Sequence, residues 1–208
     1  MALAKGLDSL ARRTKSASYA TYAVMVCAVL MAGPELLQVF GIVRLDREGS
    51  AFVVLVYSLA SLAFVFSLLI SIALVCRWIY QAHANLRAAG IETEFTPGWA
   101  VGWFFVPIAN LVMPFKVMRE LWNCSHMIAI QYGGEGDGEI KTWWGCYLAS
   151  GFLGWASQPS GNSGSSFDNL LTLSITLLAF TSAWYLQKIM REVSEGQRNQ
   201  MNASAIFS

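Results

Sequence analysis

Charge is absent or nearly absent from five stretches of the chain, and these stretches set its organisation. Residues 19–43 hold Glu35 as their single charge, while 51–76, 97–114, 142–157 and 169–186 hold none. A membrane-crossing helix needs about 20 apolar residues in succession. Four of the five runs meet or approach that length, predicting spans over 18–43, 51–76, 140–157 and 169–186. The second does not stop at the apolar boundary. Arg77, Gln81, Asn85 and Leu86 carry a helical pattern on to Gly90, a C-terminal stop signal. A helix over 51–89 is about 58 Å long at about 1.5 Å per residue, so it projects well beyond a bilayer. The first span follows a polar lead, 1–17, with Lys5, Arg12, Arg13 and Lys15. That order is like a signal peptide, but no small-x-small site precedes a sensible cut, so the span is read as uncleaved. Gly33-Pro34-Glu35 is expected to interrupt it.

The run 97–114 is different. Thr96 can cap a helix and Pro97 can take its first position, where the missing N–H is unpaired anyway. Pro107 removes a helical hydrogen bond, and Pro114 does the same if the helix continues through it. Backbone groups freed at membrane depth must face protein or water rather than lipid. The pattern therefore predicts a proline-broken, re-entrant element buried by its neighbours, with Ile108-Ala109-Asn110 as its turn and the Asn110 side chain pairing local backbone. After it, Phe115, Met118, Leu121 and Trp122 share one face over 115–130, the mark of an interfacial amphipathic helix. A Gly-rich acidic loop, 133–138, an uncharged Gly/Ser loop, 158–166, and a charged tail, 191–208, complete the chain. The expected fold is all-α membrane: four transmembrane helices, the re-entrant element and the amphipathic helix, as one membrane domain over 18–190.

Thr96-Pro-Gly-Trp-Ala-Val-Gly-Trp-Phe-Phe-Val-Pro-Ile-Ala-Asn-Leu111, followed by Pro114 and Arg119-Glu-Leu-Trp122, resembles the signature of the domain of unknown function 4328 family. Trp78 to Asn85 upstream and Trp143-Trp144-Gly145 downstream fit it too, so the likeness covers roughly residues 50 to 190. Met113 stands where a bulky or basic residue precedes the last proline in that family. The resemblance implies an uncharacterised bacterial multi-pass membrane protein. It implies no activity, and hence no residues to carry one.

Composition agrees with the pattern: 55% hydrophobic and 13% charged, against about 25% charged in soluble domains. The net charge of +1 gives no bulk attraction for nucleic acid. The basic residues decide topology. With 97–114 re-entrant, both termini are cytoplasmic and Arg44 and Arg47 alone fall outside; with 97–114 spanning, the basic tail lands outside. The positive-inside rule favours the first arrangement, in the plasma (inner) membrane. Trp78, Trp99, Trp122, Trp143, Trp144 and Trp184 then mark the inner interface.

Candidate chemistry is sparse. Cys27, Cys76, Cys124 and Cys146 have no C-x-x-C spacing and read as small buried hydrophobes. His83, Cys124 and His126 lack metal-ligand spacing, and no nucleophile motif is present; no metal, cofactor or catalytic residue is expected. Glu35 is either a buried cation or proton ligand or a residue of the outer interface beyond a kink at Pro34. Gly98-x-x-x-Gly102 offers a face for close backbone packing. Trp99 and Trp103 lie one turn apart, as interface anchors or as the sides of a ligand site. Arg119-Glu120 either ties the broken element to the second helix or is solvated. Two functions follow. One is a small-molecule or lipid binding or transport module built around 97–114, using Glu35, Trp99, Trp103 and Asn110, with Pro97, Gly98, Gly102, Pro107 and Pro114 shaping the element. The other is a non-catalytic scaffold or regulatory subunit docking a second copy or another protein through its cytoplasmic-side helices. In a background freed of native cysteines, a cysteine at Ser163 should react with an impermeant thiol reagent added to intact cells, and one at Gly136 should not. Labelling of Gly136 alone contradicts the four-pass arrangement.

Overall fold

The computed structural model describes residues 2–39, 51–126, 137–157 and 166–206. The loops at 44–50 and 158–165, most of the acidic loop, and the expected ends of the first span and of the amphipathic helix lie outside them. The described residues form helices α1 (Ala2–Val39), α2 (Ala51–Ala88), α3 (Pro97–Gly102), α4 (Met113–Ser125), α5 (Asp137–Ala156) and α6 (Ser166–Ile206). Two 3-10 turns, Trp103–Phe105 and Ala109–Leu111, separate α3 from α4. No strand occurs among the described residues.

Among the described residues, three helices are long and apolar enough to cross a membrane: Ala4–Gly33, Ser58–Ala88 and Leu170–Gln200. Within their most apolar windows only 22%, 11% and 11% of residues are buried in the protein. Leu62, Phe66 and Leu69 of α2, Leu30 of α1 and Leu177 of α6 all point outward. So much outward apolar surface belongs to a membrane protein, with lipid as its solvent.

One expectation needs correction, and two segments left without a conformation prove to be helical. The polar lead, residues 2–17, forms the first turns of α1, with Leu10 and Ala17 in the core. Helix α1 also runs unbroken through Gly33-Pro34-Glu35, as prolines in membrane helices often permit. The charged tail is helical as well: α6 continues to Ile206, with Ile189, Met190 and Val193 fully buried.

The helical lead and tail have one cause. The core lies where the helices are polar in sequence, past the ends of the apolar runs. Leu10 and Ala17 meet Trp78, Ile79 and Leu86 of α2 there, and α4 closes over them with Val117, Met118 and Leu121. Burial of apolar groups is favourable because it removes them from water. At lipid depth that drive between helices is absent. The stripe on α4 is thus correctly amphipathic, but it is buried against protein rather than laid on a bilayer. Trp78, Trp122, Trp143 and Trp144 are core residues for the same reason, while Trp99 and Trp184 are each 56% exposed.

Several polar groups in this core are paired. The Trp78 Nε1–H donates to Thr14 Oγ1 at 3.0 Å, and the Thr14 and Ser194 hydroxyls share a bond of 2.6 Å. Gln197, fully buried, donates to the Ala82 carbonyl (3.1 Å) and to Ser125 Oγ (3.2 Å), while its own oxygen accepts from Asn85 Nδ2 at 3.4 Å. Asn85 also donates to the Gly6 carbonyl. Two glycines permit this closeness. A Cβ on Gly6 would sit 2.6 Å from Asn85 Oδ1, and one on Gly196 would sit 2.6 Å from the Ser125 carbonyl oxygen.

Gln197→Met keeps volume but removes these bonds, and should lower stability by about 1 to 3 kcal/mol. Leu62→Ala, on the outward face of α2, should change it by less than about 0.5 kcal/mol. Unfolding of both variants in the same detergent checks the ordering.

Candidate functional site

The broken element is fixed at both ends by local chemistry. Helix α2 ends as its sequence predicts: Gly90 takes a positive φ of 77°. The Ile91 N–H then bonds to the Leu86 carbonyl, and the Gly90 N–H to that of Arg87, each at 3.0 Å. This is the paired C-terminal arrangement that glycine permits. Thr96 Oγ1 accepts from the Trp99 N–H at 3.3 Å, with Pro97 in the first turn of α3. Ala100 seats α3 in the core.

The helix tightens to 3-10 at Trp103–Phe105 and then stops. Val106, preceding Pro107, is extended at φ −92°, ψ 113°, as a residue before proline prefers. The chain turns through Pro107 and Ile108, and the Asn110 N–H closes the turn on the Val106 carbonyl at 2.7 Å. Asn110 thus acts through its backbone; its side-chain amide makes no hydrogen bond with the described residues. Pro114 is not a second break. It is buried in the first turn of α4, where a missing N–H costs no helical bond. From α5, the Trp144 Nε1–H reaches the Leu111 carbonyl at 3.3 Å.

Glu120 of α4 locks the element to α2. Its carboxylate accepts from the Glu94 N–H and from the Phe95 N–H (3.3 Å), and lies 3.7 Å from Nε2 of the fully buried His83. His83 Nδ1 meets the Ile79 carbonyl at 3.1 Å. Of the two roles open to Glu120, the tie between the broken element and the second helix is the one it performs.

Beside the element lies a cavity of about 380 Å³. Phe104, Phe105 and Asn110 form one wall. Thr21 and Met25 of α1, Ser71 and Val75 of α2, Tyr147 of α5 and Ala183 of α6 form much of the rest. Its serine and threonine hydroxyls are already engaged. Thr21 and Ser71 share a bond of 3.2 Å, Ser150 donates to the Tyr147 carbonyl, and Ser182 donates to that of Trp143. Among its Ser, Thr and Asn side chains, Asn110 alone has no partner among the described residues. The arrangement can hold an apolar body and hydrogen-bond one polar group of it.

Of the residues singled out from sequence, Asn110 reaches this cavity. Trp99 and Trp103 pack on each other, with ring centroids 5.0 Å apart, outside its lining. Gly98 has open space where a Cβ would be, and Gly102 is covered by the Trp99 ring at 3.3 Å, so the Gly98–Gly102 face receives no neighbouring helix. Glu35 lies on α1 seven residues past Ala28 of the cavity wall, on the order of 10 Å further along the axis; its side chain lies outside the described residues. Phe104 and Phe105 were missed as wall residues, although they stand just before the Val106-Pro107 break. His83 and His126 are engaged with carbonyls of their own helices, and among the described residues no three His, Cys, Asp or Glu converge as metal ligands. Burial, with the Glu120 charge, pushes the Cys124 thiol above its usual pKa, away from nucleophile chemistry.

Glu120→Leu should lower stability by about 1.5 to 3 kcal/mol, as for hydrogen bonds to a charged group. Faster hydrogen exchange at the amides of Glu94 and Phe95 should accompany it, and unchanged exchange there would detach Glu120 from the element.

No curated protein and no solved structure matches the chain. A family model does: that of a domain of unknown function, DUF4328, matches residues 44–195, from just before α2 through the broken element and α5 into the buried end of α6. The chain belongs to that family.

Proposed function

We propose that the protein is a non-catalytic, membrane-embedded binding module whose cavity beside 97–114 takes an apolar or lipid-like molecule carrying one hydrogen-bonding group. The observation that carries this reading is the wall formed by Phe104, Phe105 and Asn110 against α1, α2, α5 and α6. A cavity of this size, mostly apolar with a few polar groups such as the Asn110 amide and the Tyr147 hydroxyl, is the usual form of a small-molecule site. Serine and threonine hydroxyls already bonded within the protein support binding over chemistry.

The same reading has four passes, both termini cytoplasmic, and 97–114 re-entrant. Support for re-entry comes from depth. Asn110 and Leu111 lie beside Trp144, and neighbouring Trp143 bonds through its carbonyl to Ser182. Ser182 is six residues before Lys188 in α6, so the turn dips on the order of 9 Å below the level of the first tail cation. Glu35, distant along α1 from the cavity, gives transport coupled to an ion no support. Exposed Ile108 and Trp99 on the same element favour, as a second reading, docking of another protein.

Purification from the native membrane with mass spectrometry of what is retained tests both. The binding reading expects a small molecule held by the wild type and lost from Ala183→Phe, which fills the cavity, with no loss of melting temperature. Retention by Ala183→Phe contradicts it. A stoichiometric protein lost from Ile108→Asp transfers the function to docking.

A further inference from the structure

On another side of α1 from the cavity, α1 and α6 border a groove of about 430 Å³ with a graded lining. Each helix contributes one stripe at helical spacing. On α1 the stripe includes Ala11, Lys15, Ser18 and Tyr22; on α6 it includes Trp184, Lys188, Arg191 and Arg198. The helices run antiparallel, with Thr14 bonded to Ser194, so the two stripes grade in register. Lys15, Arg191 and Arg198 gather at one end of the groove, and Tyr19, Tyr22 and Trp184 at the other.

We propose that this groove binds the headgroup of an anionic phospholipid in the leaflet at the basic end of the bundle. Charge carries the first step. Lys188 is engaged by Glu139 and by Glu192, the latter at 3.8 Å. Lys15, Arg191 and Arg198 remain against one carboxylate in the groove, Glu195, and make no ion pair with the described residues. Three cations to one anion leave an excess of positive charge suited to a phosphate, which arginine grips through paired N–H donors. The second step is the gradient. Tyr19 is 72% exposed and Trp184 56% exposed, the amphipathic rings that sit at headgroup level. Past them the surface is outward-facing hydrocarbon, with Val26 and Leu30 on α1 and Leu177 on α6. A free phosphate uses only the basic end. A phospholipid uses the whole run, with phosphate on the arginines, glycerol region at the aromatic rings and chains along the apolar surface. Basic pockets between helices at a membrane boundary are recognised lipid sites.

The test is native mass spectrometry of the purified full chain in detergent, titrated with phosphatidylglycerol or with phosphatidylcholine of the same chains. Phosphatidylglycerol should bind about tenfold more tightly, as expected if roughly one to two charges are read at the surface. Arg191→Gln combined with Arg198→Gln should remove most of that preference, weakening phosphatidylglycerol by about tenfold while phosphatidylcholine changes little. Lys5→Gln with Lys116→Gln, away from the groove, should leave both unchanged. Should the double arginine variant fail to fold, exposed Lys15→Gln alone should show about one fivefold step. Equal binding of the two lipids, or full phosphatidylglycerol affinity in the folded arginine variant, overturns the proposal. Displacement of phosphatidylglycerol by millimolar inorganic phosphate assigns the groove to a free anion and overturns it too. The proposal stands apart from the cavity: Ala183→Phe should leave headgroup binding intact.

Discussion

Water is the condition for hydrophobic burial, and the described core lies at the end of the bundle where α1 begins and α2 and α6 finish, past their apolar runs. The apolar runs of α1, α2 and α6 are dense in hydrophobic residues, yet they bury little of themselves in protein. Lipid tails already satisfy Leu62 or Leu177, so packing them on a neighbour gains no transfer free energy. Burial becomes favourable where the same helices leave the bilayer. That is where Trp78, Leu86, Leu121, Met190 and Val193 converge. Helices that stopped at the membrane boundary would leave the bundle without that core. Hence α1 begins at Ala2, α2 runs to Ala88 and α6 to Ile206.

The broken element depends on this core in turn. A chain that leaves helical geometry near Pro107 must place its freed backbone groups. The solution is local at each step: a glycine-dependent end to α2, a threonine cap on α3, a closing bond from Asn110, and an indole from α5 on the Leu111 carbonyl. Glu120 holds the start of the element through two backbone N–H groups, and His83 beside it anchors the assembly to α2. With both flanks fixed in the core, Phe104 and Phe105 stay at the cavity wall rather than collapsing into it.

Much of this was legible in the sequence. The apolar runs placed the helices, Gly90 marked the end of α2, Thr96-Pro97 the start of α3, and Pro107 the break. The face of α4 was legible as a stripe, but not what covers it, because a 3.6-residue period describes lipid-facing and protein-facing surfaces alike. The helical lead and tail were missed for a related reason. Lys and Arg between Leu10, Thr14 and Ala17, or between Ile189, Val193 and Gln197, mask a narrow buried stripe that only partner helices reveal. Asn110 was placed at the cavity on the strength of its turn chemistry, but its side chain lines the wall and its backbone makes the turn. Gly98 and Gly102 matched a packing motif with no packing partner, since spacing carries no information about which neighbour arrives.

The central claim is that residues 2–17 belong to the folded bundle and meet the end of α6 in a single arrangement. Paired spin labels at Asp8 and Asn199, both solvent-exposed, measure this directly by electron–electron distance spectroscopy in lipid nanodiscs. The account predicts one narrow distance distribution, broadened when Leu10 is replaced by Asp. A broad distribution in the otherwise native chain would contradict it, because the lead would then be a tether and the core on the polar side would lose one of its helices.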